Sequence, residues 1–314
     1  MHWLQIGASK SGNLWLYHIL QSVIRHAGIP QKNFIKTQPI YQVAKDWDLG
    51  FKGQADIDTL TINPSKCLYR ISGVFNMPIQ DINAYIGATS HVWTQSLPSE
   101  MTRKVLPKFQ KKIYILRDPR DRLLSLARYH FTPYRLKYFG KEFPDEASCV
   151  QAVLPEVVFH WVQHVSGYLL DRNALDVHFI IYERLLFDFD TEMTRLLEYL
   201  DIPPSAELLA KVKQDVRFDS MKSTNPQHVR EGSTGEWTER LSAAQIKTAD
   251  AIAAPLLRLL HYPITAKEFK KEPFKNLPRV PDPLRAEDLK RALRHADRWA
   301  LIDKVRRKVR RAFP

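Results

Sequence analysis

The segment WLQIGASKSGNLW, Trp3 to Trp15, constrains the fold more than any other. A β-rich apolar run, Trp3–Ile6, passes into a loop framed by Gly7 and Gly12, and helical periodicity follows over Leu14–Ala27. Four further β-rich runs stand out: Cys67–Ile71, His91–Gln95, Ile113–Leu116 and Val177–Tyr182. Helical patterns over Asp121–Phe131 and Thr191–Leu200 follow the last two. Strands that alternate with helices predict an α/β domain with a central parallel sheet flanked by helices on both faces. Asp118-Pro119 supplies a cap and a first-turn proline for one of those helices. Residues 30–66 lack periodicity and read as a long excursion between the first helix and the second strand.

The chain has 314 residues, enough for one such domain over residues 1–265. Its net charge of +13 is unevenly spread: residues 266–314 hold 16 Lys and Arg against 7 Asp and Glu. Within that region, 266–285 reads as a proline-rich linker and 286–314 as a basic amphipathic helix, with Leu289, Leu293, Ala296, Ala300, Val305 and Val309 on its apolar stripe. Such a tail suits packing on the domain with a solvated basic face, or peripheral association of residues 286–313 with an anionic membrane. No nucleic-acid partner is expected, because the body carries no recognition motif. No run reaches the ~18 apolar residues of a membrane span. The first strand begins too early for a signal peptide. A cytoplasmic protein, at most peripheral on the inner face of a membrane, is therefore expected. Cys67 and Cys149 lack metal-ligand spacing and read as ordinary thiols.

Gly7 to Gly12 has the G-x-x-x-x-G frame of a phosphate-binding loop, set between strand and helix where backbone N–H groups and the helix dipole hold anions. A nucleotide-hydrolysing loop continues with Lys and then Ser or Thr; here Asn13 and Leu14 follow, and the lysine sits inside the loop at Lys10. The hydroxyl that would ligand Mg²⁺ is missing. The loop therefore suits an anion held without a metal, and sulfuryl transfer is a reaction that fits: Lys10 beside a bridging oxygen would stabilise the departing phosphate. A P-loop kinase or NTPase is the alternative enzyme reading.

Three further segments, YILRDPRDRLLSLARYHF (114–131), VHFIIYERLL (177–186) and REGSTGEW (230–237), join IGASKSGNLW in an ordered set. Together they resemble the cytosolic-type sulfotransferases that use 3′-phosphoadenylyl sulfate (PAPS), in the manner of a bacterial-type member. The resemblance implies a single P-loop-like α/β domain, no metal, and transfer of SO₃ from PAPS to a hydroxyl or amine acceptor with release of adenosine 3′,5′-bisphosphate (PAP). It assigns Lys10, Ser11, Gly12, Asn13 and Leu14 to the 5′-phosphosulfate, with Lys10 assisting the leaving group. Trp15, Tyr182 and Phe218 fall at adenine positions. Arg117 and Ser125, with Arg230, Glu231 and Gly232, fall at 3′-phosphate positions. Thr234, Gly235 and Trp237 complete the last loop, and Arg120 and Asp121 match helix-start positions of structural character. Asn13 and Leu14 replace two threonines of the pattern, and Glu231 replaces a lysine.

The family's catalytic histidine is replaced by Ser96, in Thr94-Gln95-Ser96-Leu97-Pro98. Ser96, His91 and Glu100 are the candidates for the missing base, each with an objection, and the acidic residues of 30–66 remain candidates beside Glu100, whereas His130 reads as a packed or surface helix histidine. A serine of ordinary pKa is a poor base. His91 lies five residues upstream on a strand, about 17 Å away and on the opposite face. Glu100 is suggested only by other branches that use glutamate. An acceptor that supplies its own nucleophile, such as an amine, is a further option, and so is a degenerate member that binds the nucleotide without transfer. The acceptor itself, whether small molecule, glycan or lipid, is not legible; residues 128–144, rich in Tyr and Phe, are a candidate wall for it.

Overall fold

A computed structural model of the chain describes residues 1–217, 232–271, 278 and 280–312, with the side chains of 270, 271, 303 and 305–312 excepted. Seven strands form one sheet in the order β4-β3-β2-β5-β1-β6-β7. They are β1 Trp3–Ile6, β2 Thr59–Ile62, β3 Cys67–Ile71, β4 Phe75–Pro78, β5 His91–Thr94, β6 Lys111–Leu116 and β7 Val177–Ile181. From β2 through β5, β1 and β6 to β7 all pairings are parallel; β3 and β4 add an antiparallel edge.

The sheet departs from the sequence-based expectation at two places. The excursion at 30–66 contributes β2, which pairs with β5 through Thr59↔Trp93 and Leu60↔Thr94. The run at Cys67–Ile71 is antiparallel, because a short turn returns it beside β2 without a crossover.

The sheet is buried on both faces, and the strand period of two sorts its side chains. Trp3, Ile113, Ile115 and Ile180 face one core cluster with Leu16, Ile19 and Met193. Leu4, Ile6, Tyr114 and Leu116 face the other, with Trp161 and Leu256. Five helices position or brace the strand ends. Helix α1, Asn13–His26, leaves the first loop. Helix α2, Pro119–Tyr129, starts at Asp118, whose carboxylate accepts the Arg120 N–H at 2.8 Å. Helix α3 spans Pro133–Phe139. Helix α4, Glu146–Leu170, packs along α2, and helix α5, Ala243–Leu259, packs along α4.

The C-terminal region is less separate than its composition suggests. Helix α6, Ala286–Ala312, packs against α4 and α5, with Leu289, Ala292 and Ala296 fully buried in the main core. Further along, Leu301 and Ile302 are exposed. Residues Ala266–Lys271 of the expected linker are helical, and Phe269, Val280 and Leu284 pack on the same core. Among the described residues no helix is long and apolar enough to cross a membrane.

Candidate functional site

The parallel strands β1, β5, β6 and β7 end side by side, so the loops that continue from them meet at one edge of the sheet. A cleft of about 360 Å³ opens there. Lys10, Gly12, Asn13, Leu14, Trp15, Arg117, Ser125, Tyr182 and Gly232 all line it, although they come from five separate parts of the chain.

The first loop is shaped for a ligand. Lys10 and Gly12 both have positive φ, 66° and 94°. Gly12 is the N-cap of α1 and offers no capping side chain, so the first N–H groups of a 14-residue helix have no intrahelical acceptor. A Cβ on Gly12 would lie 2.5 Å from the Tyr182 ring, a contact that excludes other residues. Asn13 faces inward: its amide donates to the Ala8 carbonyl at 2.7 Å and so braces the loop. Arg122 holds the other side, donating to the Ser9 carbonyl at 2.6 Å. Ser11 Oγ is buried without a partner. Lys10 Nζ sits 4.4 Å above the Tyr129 ring.

Arg117 immediately follows β6. Its Nη2 donates to the Ser233 carbonyl at 2.8 Å, its Cζ lies 4.4 Å over the Tyr182 ring, and its Nε is buried without a partner. Tyr182 in turn meets Trp15 edge-on at 5.6 Å. Helix α2 brings Ser125 to the same wall. The loop at 232–237 is fastened by Asp121, whose carboxylate accepts the backbone N–H of Gly235 at 2.6 Å and of Trp237 at 3.1 Å. Arg120 is structural: fully buried, it pairs with Asp118 at 2.7 Å and stacks on Trp237. Phe218, Arg230 and Glu231 lie outside the described residues.

The cleft thus joins a helix-terminus anion cradle, a lysine inside that cradle, an arginine–serine pair and two aromatic faces. Residues 2–261 match the family described as sulfotransferase domain. The chain belongs to the sulfotransferase domain family. This sulfotransferase is 26% identical to rat sulfotransferase 2B1 over 261 residues, which is 77% of this chain and 67% of that one. To zebrafish cytosolic sulfotransferase 1 it is 24% identical over 270 residues, 77% of this chain and 78% of the relative. Among solved structures it resembles a mouse sulfotransferase complexed with PAP, with a TM-score of 0.53 at 19% identity, covering 82% of this chain and 84% of the other. Retinol dehydratase in complex with androsterone and inactive cofactor PAP gives a TM-score of 0.51 at 15% identity, over 89% and 82%. These likenesses show a shared fold. Family membership sets aside the kinase and NTPase readings of the loop.

None of Ser96, His91 and Glu100 lines the cleft of this sulfotransferase. Ser96 is turned away: its Oγ accepts the Ile62 N–H at 2.7 Å and the Thr94 hydroxyl at 2.9 Å. Strand alternation instead points Trp93 and Gln95 into the cleft. His91 lies under α1, bonded to Gln21 at 2.9 Å and stacked on Tyr17, and burial pushes its pKa down to about 3. Glu100 is solvent-exposed on the first turn of a separate helix, Glu100–Val105, paired with Lys104. Among the described residues lining the cleft there is no His, Asp or Glu. Sequence reasoning missed Gln95 and Arg70, which do line it; the aromatic stretch it flagged supplies Tyr129, Tyr134 and Phe139.

Proposed function

We propose that this sulfotransferase binds PAPS across the loop Gly7–Gly12, Arg117 and Ser125, and passes its sulfuryl group to a hydroxyl or amine of a small-molecule acceptor. The observation that carries this reading is the convergence of the uncapped N-terminus of α1, Lys10, and the Arg117–Ser125 pair in one cleft. The unpartnered Arg117 Nε and Ser11 Oγ fit a ligand rich in phosphate oxygens. Backbone N–H groups of the first turn of α1 would hold the 5′-phosphate. Arg117 and Ser125 would hold the 3′-phosphate, with Gly232 alongside. Trp15 and Tyr182 would flank the adenine.

In this reading Lys10 stabilises the charge that builds on the bridging oxygen as the sulfur–oxygen bond to the phosphate breaks. The acceptor oxygen or nitrogen forms its bond to sulfur in line, loses its proton, and PAP departs. The chain's own contribution is placement and charge stabilisation, which suits an acceptor that is nucleophilic without help from a strong base. Calorimetric titration with PAP, followed by transfer of labelled sulfuryl from PAPS to a panel of phenols, alcohols and amines, tests it. No PAP binding up to about 1 mM, roughly −4 kcal/mol, would overturn the assignment. PAP binding without transfer to any acceptor would support the degenerate, binding-only alternative.

A second reading concerns location. The free end of α6 combines exposed Leu301 and Ile302 with a run of Lys and Arg, as a peripheral anchor on an anionic membrane requires. A lipid or lipid-linked glycan acceptor would then be within reach. Co-sedimentation with anionic but not neutral vesicles, lost in a chain ended after Trp299, is the expected result; equal recovery with both vesicle types removes the idea.

A further inference from the structure

Beyond Lys10 the cleft continues into a half that PAPS would not fill. Arg70, next to the last residue of β3, lines this half together with Gln54, Ser72, Tyr134, Arg135 and Phe139. The Tyr129 ring joins the two halves: Lys10 Nζ is 4.4 Å from its centroid and the Arg135 guanidinium carbon 6.0 Å.

Arg70, half-buried with its Nε fully enclosed, stands apart from the buried arginines of this protein. Arg120 pairs with Asp118 and Asp250, Arg184 with Glu192, and Arg122 donates to two carbonyls. Among the described residues Arg70 has no carboxylate partner, and its Nε is buried without any hydrogen bond. Its neighbours Tyr129 and Tyr134 are neutral phenols, and burial pushes its pKa down. Removing a guanidinium from water without a counter-charge is strongly unfavourable. Arg135 shows the same feature more weakly: its Nε is also unpartnered, and Glu142, at 3.6 Å, is its one carboxylate partner among the described residues. Neighbouring polar groups are already spoken for. Gln54 donates to Ser72 at 3.1 Å and accepts from the Gly50 N–H at 2.8 Å, and Ser72 also bonds the Tyr134 hydroxyl. The open hydrogen-bonding capacity here is cationic, beside the apolar walls of Phe51 and Phe139.

We infer that the acceptor carries an oxyanion (a carboxylate or a phosphate or sulfate ester) that Arg70 binds, with Arg135 beside it, while its hydroxyl or amine is presented near Lys10. The inference rests on the sulfuryl-transfer reading of the same cleft and names the class of acceptor it takes. It also accounts for two arginines, Arg70 and Arg135, in the half of the cleft away from the nucleotide residues, where no acidic residue lines the cleft among those described. A planar guanidinium at the floor reads an oxyanion by paired N–H donors, and the aromatic walls accept a flat or apolar body.

The test uses the full chain saturated with PAP, titrated with phenyl phosphate and phenylacetate as anionic probes and with benzyl alcohol as the neutral one. Both anions are expected to bind at least about tenfold tighter than the alcohol, a difference of about 1.4 kcal/mol. Arg70→Met should erase that preference, Arg70→Lys should keep part of it, and Arg103→Met, at a surface ion pair, should not alter it. PAP affinity should stay within about threefold in the Arg70 variants. Without ligand, Arg70→Met should melt no lower than wild type, since a half-buried charge without a carboxylate partner has been removed. Equal binding of anion and alcohol, an unchanged preference in Arg70→Met, or a lower ligand-free melting temperature in that variant would each overturn the inference. If PAP itself fails to bind, the underlying nucleotide reading has failed; if PAP binds and the anions do not, only the acceptor inference has.

Discussion

The two halves of the cleft each present an arginine, Arg117 buried and Arg70 half-buried, and the two are held in opposite ways. Arg117 is surrounded: a carbonyl accepts from it, the Tyr182 ring covers it, and the Asp121 and Glu183 carboxylates contribute to its field. Arg70 has aromatic neighbours and no carboxylate among the described residues. A cation embedded in opposite charge is part of a preorganised frame; a cation left uncompensated is stable only at a cost that a ligand offsets. On the proposed reading, the nucleotide half is built in advance, and the acceptor half is completed by what enters it.

The sharpest break should come at the junction of the halves. Lys10→Ala is expected to lower the rate of transfer by about 100-fold or more while changing PAP affinity much less, because the lysine acts where charge develops. Equal losses in rate and in binding, measured by single turnover and calorimetry, would move Lys10 into the binding frame. Arg117→Met should weaken PAP by about 10- to 100-fold and leave the anionic-probe preference at Arg70 intact. Loss of both together would show that the halves are one electrostatic unit. Asp121→Asn touches no ligand in the proposed arrangement. It removes charge from the acceptor of the Gly235 and Trp237 N–H groups, and should weaken PAP by about three- to tenfold through the loosened 232–237 loop.

The smallest expected effect is one of pH. Burial, with the Asp118 carboxylate adding to it, pushes Glu183 up to about 7, above its ordinary value near 4.5. A carboxyl raised in the folded state stabilises fully below its unfolded pKa, and that contribution is lost as pH climbs through the folded pKa. Glu183→Gln, which mimics the neutral acid, should match wild type most closely near pH 4.5 and gain relative to it toward pH 8. The difference between the two melting curves across that range checks the sign. A difference that shrinks with rising pH would mean that the nucleotide half keeps Glu183 ionised.

Legibility in the sequence divides along the same line. The strand–loop–helix at Trp3–His26 can be read because its three periods are local and uninterrupted, and the anion loop comes with it. The short strands β2 and β4 cannot. Thr59–Ile62 alternates for only four residues inside a polar excursion, and Phe75–Pro78 ends in a proline that an edge strand tolerates. The family pattern puts Ser96 in the place of the catalytic histidine, whereas its hydroxyl closes a bond to β2, a strand with no clear sequence signal. Arg70 gives no signal at all: in Cys-Leu-Tyr-Arg-Ile one polar residue looks like a solvent-facing position. Its meaning lies in the partner it lacks, and only the folded chain can show that.

The way α6 begins has a practical consequence. Its first turns fill a seam between α4 and α5 with Leu289, Ala292 and Ala296, so the helix that carries the basic end is anchored by packing. A chain shortened to the domain boundary suggested by composition would lose that plug, and its misbehaviour would be mistaken for a role of the charges. Cutting after Trp299 separates the two: the scaffold keeps its last wedge, and only the lever is removed.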